Sequence, residues 1–144
     1  MASSHFYGKA IKNLAAGNWA WNSSHNIVLA LMNGQYLPDE STEELWSDIS
    51  EYEVEGINYS RTTLTVIEPT YFSSAREIWL DSSTNVLLEL ATLSARYAVI
   101  FIESGDPLTE YLVGWIDFGE NRIAQENDFA INWTENGIFR LRRS

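Results

Sequence analysis

Two apolar runs joined by a turn constrain this chain more than any other feature. Arg96-Tyr97-Ala98-Val99-Ile100-Phe101-Ile102 is followed by Ser104-Gly105-Asp106-Pro107, then by Tyr111-Leu112-Val113-Gly114-Trp115-Ile116-Asp117-Phe118-Gly119. β-Branched and aromatic residues dominate both runs, and such residues fit a pleated, half-buried surface. Ala98 to Ile102 is apolar without alternation, the pattern of a strand covered on both faces. The second run carries no charge until Asp117, and Gly119 is expected to end it. In the turn, glycine supplies φ freedom, aspartate a side-chain acceptor and proline a fixed φ. The expectation is a central antiparallel hairpin at the heart of one β domain.

The rest of the chain supplies partners for that hairpin. Its 144 residues suit a single globular domain, with 1–24 as an N-terminal arm and short helix and 25–144 as a β-sandwich. Ala10 to Ala16 forms two helical turns with Ile11, Leu14 and Ala15 on one side, stopped by Gly17. Trp19 and Trp21 lie two apart, on one face of an extended segment, and are read as core. Asn26 to Met32 is a buried strand closed by Asn33-Gly34. Ser41 or Thr42 is expected to cap a short helix that turns Leu45, Trp46 and Ile49 inward. Arg61 to Ile67 alternates, with Leu64 and Val66 inward, and Pro69 is expected to end that strand. Glu77-Ile78-Trp79-Leu80 is a short strand. The Leu-rich stretch from Val86 to Leu93 permits a helix, but its direct entry into the Arg96 run favours extended chain. Asp128 to Trp133 alternates, Glu135-Asn136-Gly137 turns, and Ile138 to Leu141 makes a last strand. Seven or eight short strands of this kind predict a mainly β fold, an antiparallel β-sandwich or barrel.

Charge and composition narrow the function. The formal net charge of -11 opposes binding to nucleic acid and to anionic membranes. There is no cysteine, so disulfides, thiolate metal sites and cysteine catalysis are excluded. No apolar run of signal-peptide length opens the chain, and none reaches the roughly 18 residues of a membrane span, so a soluble protein made in the cytoplasm is expected. His5 and His25, the two histidines, have no metal-ligand spacing, and no phosphate-cradling glycine loop or nucleophile elbow occurs. With twenty acids in the chain, the pairs Glu77/Asp81 and Asp117/Glu120 are expected by chance. Eight carboxylates stand between Asp39 and Glu55 without a base, but their spacing is not that of a calcium loop, and a solvated acidic face is the reading. Asn132-Trp133-Thr134 fits the glycosylation pattern but falls in an expected strand. No catalytic residue, cofactor or metal follows, and the chain reads as a non-enzyme.

What remains is contact. Arg140-Leu141-Arg142-Arg143-Ser144 holds three of the nine bases, opposite in charge to 39–55, an arrangement that steers like subunits head to tail. Tryptophan, tyrosine and arginine dominate interface hot spots. The candidate partner-binding residues are His5, Phe6, Tyr7, Trp46, Arg140, Arg142 and Arg143.

Phe6-Tyr7-Gly8-Lys9-Ala10 with Leu14 and Trp21, then Ile27-Val28-Leu29-Ala30-Leu31, Tyr36-Leu37-Pro38-Asp39, Trp46-Ser47-Asp48-Ile49, Tyr52-Glu53-Val54, Ala95 to Ile100 and Gly114 to Gly119 follow one order. With Phe129 to Trp133 and Asn136-Gly137-Ile138, that order spans nearly the whole chain. It resembles a family of small virion-associated proteins of tailed bacteriophages and prophages. The resemblance implies a capsid decoration, or cement, protein: a small β domain seated on the outer shell at local symmetry axes, clamping neighbouring capsid subunits. The implied partners are the major capsid protein and further copies of the chain, as a homotrimer, with no nucleic acid or membrane. The implied location is the capsid surface of the virion, after synthesis in the host cytoplasm. The alternative is a tail or fibre component that binds the host through Trp19, Trp21 or the 39–55 loop. A glycan-active enzyme is a distant third.

Overall fold

The computed structural model describes residues 3–133 and 137–142. Among them run strands β1 (Ser3–Phe6), helix α1 (Gly8–Ala15), β2 (Ile27–Met32), two single 3-10 turns (Trp46–Asp48 and Ser50–Tyr52), β3 (Thr62–Thr63), β4 (Val66–Phe72), β5 (Glu77–Ser82), β6 (Val86–Ile102), β7 (Leu112–Ile131) and β8 (Phe139–Arg142). They form a five-stranded sheet in the order β1-β7-β6-β2-β3 and a three-stranded sheet in the order β4-β5-β8, all antiparallel. The architecture is a β-sandwich with one short helix, and not a closed barrel.

The expected hairpin is β6 and β7, each extended well past the apolar run that identified it. Its turn places Gly105 at φ +83, and the Thr109 N–H donates to the Asp106 carbonyl. Register places Val99 opposite Trp115 and Ile100 opposite Gly114, so each pair shares a face of the sheet. Both faces are covered, which is why the runs do not alternate. On one face the 33–61 segment packs, with Trp46 flat against Phe101 at 4.3 Å and Tyr36 edge-on to Tyr97. On the other lies the three-stranded sheet, whose Phe139 meets Phe6 at 4.9 Å and Trp21 edge-on. The domain therefore has three layers.

Gly114 sets the spacing between the sheets. A Cβ there would lie 2.6 Å from Cε1 of Phe139 and would also collide with the His5 carbonyl. Only a residue without a side chain lets β1 and Phe139 both approach β7.

Several expectations are corrected. Residues 3–6 are no free arm: β1 is an edge strand with Ser3 opposite Asp117 and Phe6 opposite Gly114. Trp19 and Trp21 are buried, but in the irregular chain between α1 and β2 and on no strand. Their indole N–H groups donate to the carbonyls of Ala10 and Asp81, each at 2.9 Å. The acidic segment holds 3-10 turns in place of a capped helix. There Asp48 accepts the N–H groups of Glu44 and Leu45. Arg61 to Ile67 is divided between β3 and β4, in different sheets, with Leu64 buried at the crossing. Pro69 lies within β4, where the register breaks between Ile67 and Thr70; β4 is an edge strand, which needs no ladder N–H at a bulge. Gly119 does not end β7 but bends it. At φ +81 it sits in a bulge that sets four residues of β7, 118–121, against the single Arg96 of β6. The Glu135-Asn136-Gly137 turn and the Asn132-Trp133-Thr134 pattern lie partly outside the described residues.

Further breaks, with Leu90 and Glu126 at positive φ, coil the far half of β6 and β7 into a curled ribbon. Arg122 and Ala130 stand eight residues apart in one strand, yet the Arg122 guanidinium donates to the Ala130 carbonyl at 2.9 Å. The same guanidinium lies 5.1 Å from the Phe118 ring and 4.7 Å from that of Phe129. This clasp holds the curl closed.

Replacing Gly114 by alanine is expected to cost about 1–3 kcal/mol through overpacking. Urea unfolding of the wild type and Gly114→Ala checks this; equal midpoints would show that β1 or β8 shifts freely.

Candidate functional site

The residues singled out from the sequence fall into two groups. Tyr7 and Trp46 are core, only 0% and 5% exposed, and do not present contact surface. Tyr7 and Tyr36 share a hydrogen bond of 2.6 Å between their hydroxyls, and Tyr36 donates to Glu43 at 2.7 Å. Burial pushes both phenols above their ordinary value. Trp46 lies beneath Arg61, whose guanidinium stands 5.0 Å above its ring. Glu53 takes two bonds from Arg61 at 2.9 Å and Glu103 a third at 2.7 Å. These bonds, Glu53 first, raise Arg61 above its usual value. His5 is exposed on β1 and stacks on Trp115 at 5.0 Å, while Phe6 is half-buried against Phe139. Arg140 and Arg142 are accessible on β8. Arg143 lies outside the described residues.

The structure brings Arg140 and Arg142 together with residues that sequence reading left apart. Register aligns Phe72, Glu77 and Arg142 in one row across the three-stranded sheet, and Thr70, Trp79 and Arg140 in the next. All six share the face opposite Leu80 and Phe139, which are buried in the core. Phe72 packs on Trp79 with ring centroids 3.9 Å apart, and the Trp79 indole donates to Glu77 at 3.2 Å. Arg142 bonds the other Glu77 oxygen at 3.2 Å, and Arg140 stands at 4.0 Å. The Trp79 hydrogen bond, with Arg140 and Arg142 alongside, holds the Glu77 carboxyl below its ordinary value. The short strand from Glu77 to Leu80 was legible, although Asp81 and Ser82, expected in a loop, extend it; the register that sets β8 beside it was not.

A second surface lies on the outside of the curled ribbon. Leu87, Leu90 and Ile123 are more than half exposed, as is Ile57, whose backbone exchanges hydrogen bonds with Thr92 of β6. In the sequence these residues disappear into apolar runs. Val86 and Leu88 point inward and Leu87 outward, a division that no polar residue marks.

In each of the two carboxylate pairs one member, Glu77 or Asp117, is held below its ordinary value by its neighbours. Glu77 is engaged as described. Burial raises the Asp117 carboxyl, but hydrogen bonds from Arg96 at 3.0 Å and from the Gly119 N–H outweigh that effect and hold it low. Among the described residues no group of three His, Asp or Glu is arranged to hold a metal ion.

Carboxyls held low in the folded state contribute stability that is complete above their unfolded values and is lost as pH falls through their folded ones. Unfolding midpoints should therefore drop once pH passes below the ordinary glutamate value of 4.5. Glu77→Gln should be less stable than the wild type at neutral pH and lose less on acidification, so that the two urea-midpoint curves converge in acid. Parallel curves would assign the acid sensitivity elsewhere. No protein-family model matches the chain, and no curated protein and no solved structure matches it either.

Proposed function

We propose that this chain is a structural contact protein of a bacteriophage particle, a capsid decoration protein that binds the major capsid protein on the outer shell and stabilises it. The observation that carries this reading is the exposed apolar set Ile57, Leu87, Leu90 and Ile123 on the outside of the β6–β7 ribbon. Large apolar side chains left in water along one ribbon gain by being covered, and exposed apolar surface is a mark of contact sites. The ribbon is held by its own ladder and by the Arg122 clasp, so little order has to be imposed on docking. An interface of roughly 1,200–2,000 Å² is the normal size for stable seating. Repetition over a shell multiplies modest single-site affinity. The resemblance in residue order supports the same role. The seat is the ribbon and not a free N-terminal arm, because residues 3–6 are taken up in the sheet and Tyr7 is buried.

Quantitative mass spectrometry of purified particles tests this directly. The expected copy number is near that of the major capsid protein, or a simple fraction such as one third of it. A handful of copies would place the chain in the tail, as the host-binding alternative requires, and absence from the particle would overturn both readings. Leu87→Lys with Ile123→Lys should leave the domain folded, since both side chains face solvent, and remove it from the shell.

A further inference from the structure

The outer face of the three-stranded sheet differs in charge from the rest of the molecule. Residues 66–82 and 137–142 carry three bases and three acids, so the chain's whole net charge of -11 lies elsewhere. At the surface the contrast is sharper. The side chains of Arg140 and Arg142 are 52% and 72% exposed, whereas that of Glu77 beneath them is 8% exposed. An approaching partner meets two guanidiniums beside the Phe72–Trp79 pair, while the carboxylate that balances one of them is covered. Asp81 stands one row beyond, opposite Ile67.

The opposite side of the domain carries the complement. The three-stranded sheet covers one face of the large sheet, and the 33–61 segment covers the other. That segment holds eight carboxylates between Asp39 and Glu55. Five are engaged within the chain: Asp39 and Asp48 by backbone N–H groups, Glu43 by Tyr36, Glu44 by Lys12 and Asn13, and Glu53 by Arg61. The exposed carboxylates of Glu40, Glu51 and Glu55 have no hydrogen-bond or cation partner among the described residues. Glu51 and Glu55 flank an open cleft of about 430 Å³.

From these placements we infer that the Arg140–Arg142–Trp79 face docks a second copy of this chain through that copy's acidic 39–55 surface. The two surfaces are different, and they lie on opposite layers of the domain. The contact is therefore heterologous, each copy offering its basic sheet to the acidic layer of the next, and it generates a ring or an open stack according to the rotation between copies. Complementary charge steers the encounter, and the aromatic pair beside the arginines is the kind of anchor that retains it. The inference does not rest on the shell-binding reading, which uses the ribbon.

Sedimentation velocity at about 20 mM and about 500 mM salt tests it, because exposed charge contacts are screened over that range. The wild type is expected to associate at low salt and dissociate at high salt. Arg140→Glu with Arg142→Glu should weaken association at least about tenfold in Kd, with folding checked by far-ultraviolet circular dichroism. Glu51→Lys with Glu55→Lys changes only exposed side chains and should have the same effect should the arginine variant fold poorly. Mixing the two charge-reversed proteins should restore association, since each then offers the other a complementary face. A wild type monomeric at low salt, or association indifferent to both reversals, overturns the inference. Leu87→Lys with Ile123→Lys should leave self-association unchanged, which separates this contact from seating on a shell.

Discussion

The pairing of β6 with β7 is the constraint on which the remainder of the structure depends. Every other strand of the large sheet reaches it through one of these two: β1 through β7, β2 through β6, and β3 through β2. The second sheet is positioned by the same ladder, because Gly114 of β7 is where Phe139 and the backbone of β1 converge. The register breaks along the pair determine where the ribbon curls and which side chains it turns outward. A slip of one residue anywhere in this ladder exchanges the faces of all that follows, so the coverings of both faces depend on one alignment.

Much of this arrangement was legible in the sequence, and the reasons for success and failure are physical. Ala98 to Ile102 reads correctly as a doubly covered strand because burial on both faces removes alternation, and β2 reads correctly for the same cause. Gly119 misleads because a glycine at positive φ serves a strand end and a bulge equally well; only the partner strand distinguishes them. Pro69 misleads in the same way, since the cost of a missing N–H depends on whether the strand is an edge. Tyr7 and Trp46 looked like contact residues because aromatic chemistry is shared by cores and interfaces. What separates the two is tertiary: Tyr36 waits for the Tyr7 hydroxyl, and Phe101 and Arg61 enclose the Trp46 ring. The small-sheet face escaped because Glu77 and Arg142 are brought together across 65 positions of chain.

The distribution of charge follows one rule throughout. Wherever an acid is covered, a base, a hydroxyl or an N–H is built against it: Arg61 on Glu53 and Glu103, Arg96 on Asp117, and Trp79 with Arg142 on Glu77. The large excess of acids is left where water can solvate it. Such a molecule repels its own kind over most of its surface, and the self-docking inferred above would confine acceptance to one place. Specificity in assembly then arises as much from the many disfavoured orientations as from the single favoured one.

The Arg122 clasp has a consequence for descent. A guanidinium held between Phe118 and Phe129 and bonded to the Ala130 carbonyl fixes the number of residues between them more tightly than it fixes their identities. An insertion or deletion in that interval reverses the side-chain order and parts the arginine from its acceptor, whereas many substitutions at the outward positions change little. Divergent cousins of this chain should therefore preserve an aromatic, then a basic residue four positions on, then a second aromatic seven beyond that, after overall identity has faded. A search keyed to intervals in place of letters is the one suited to finding them.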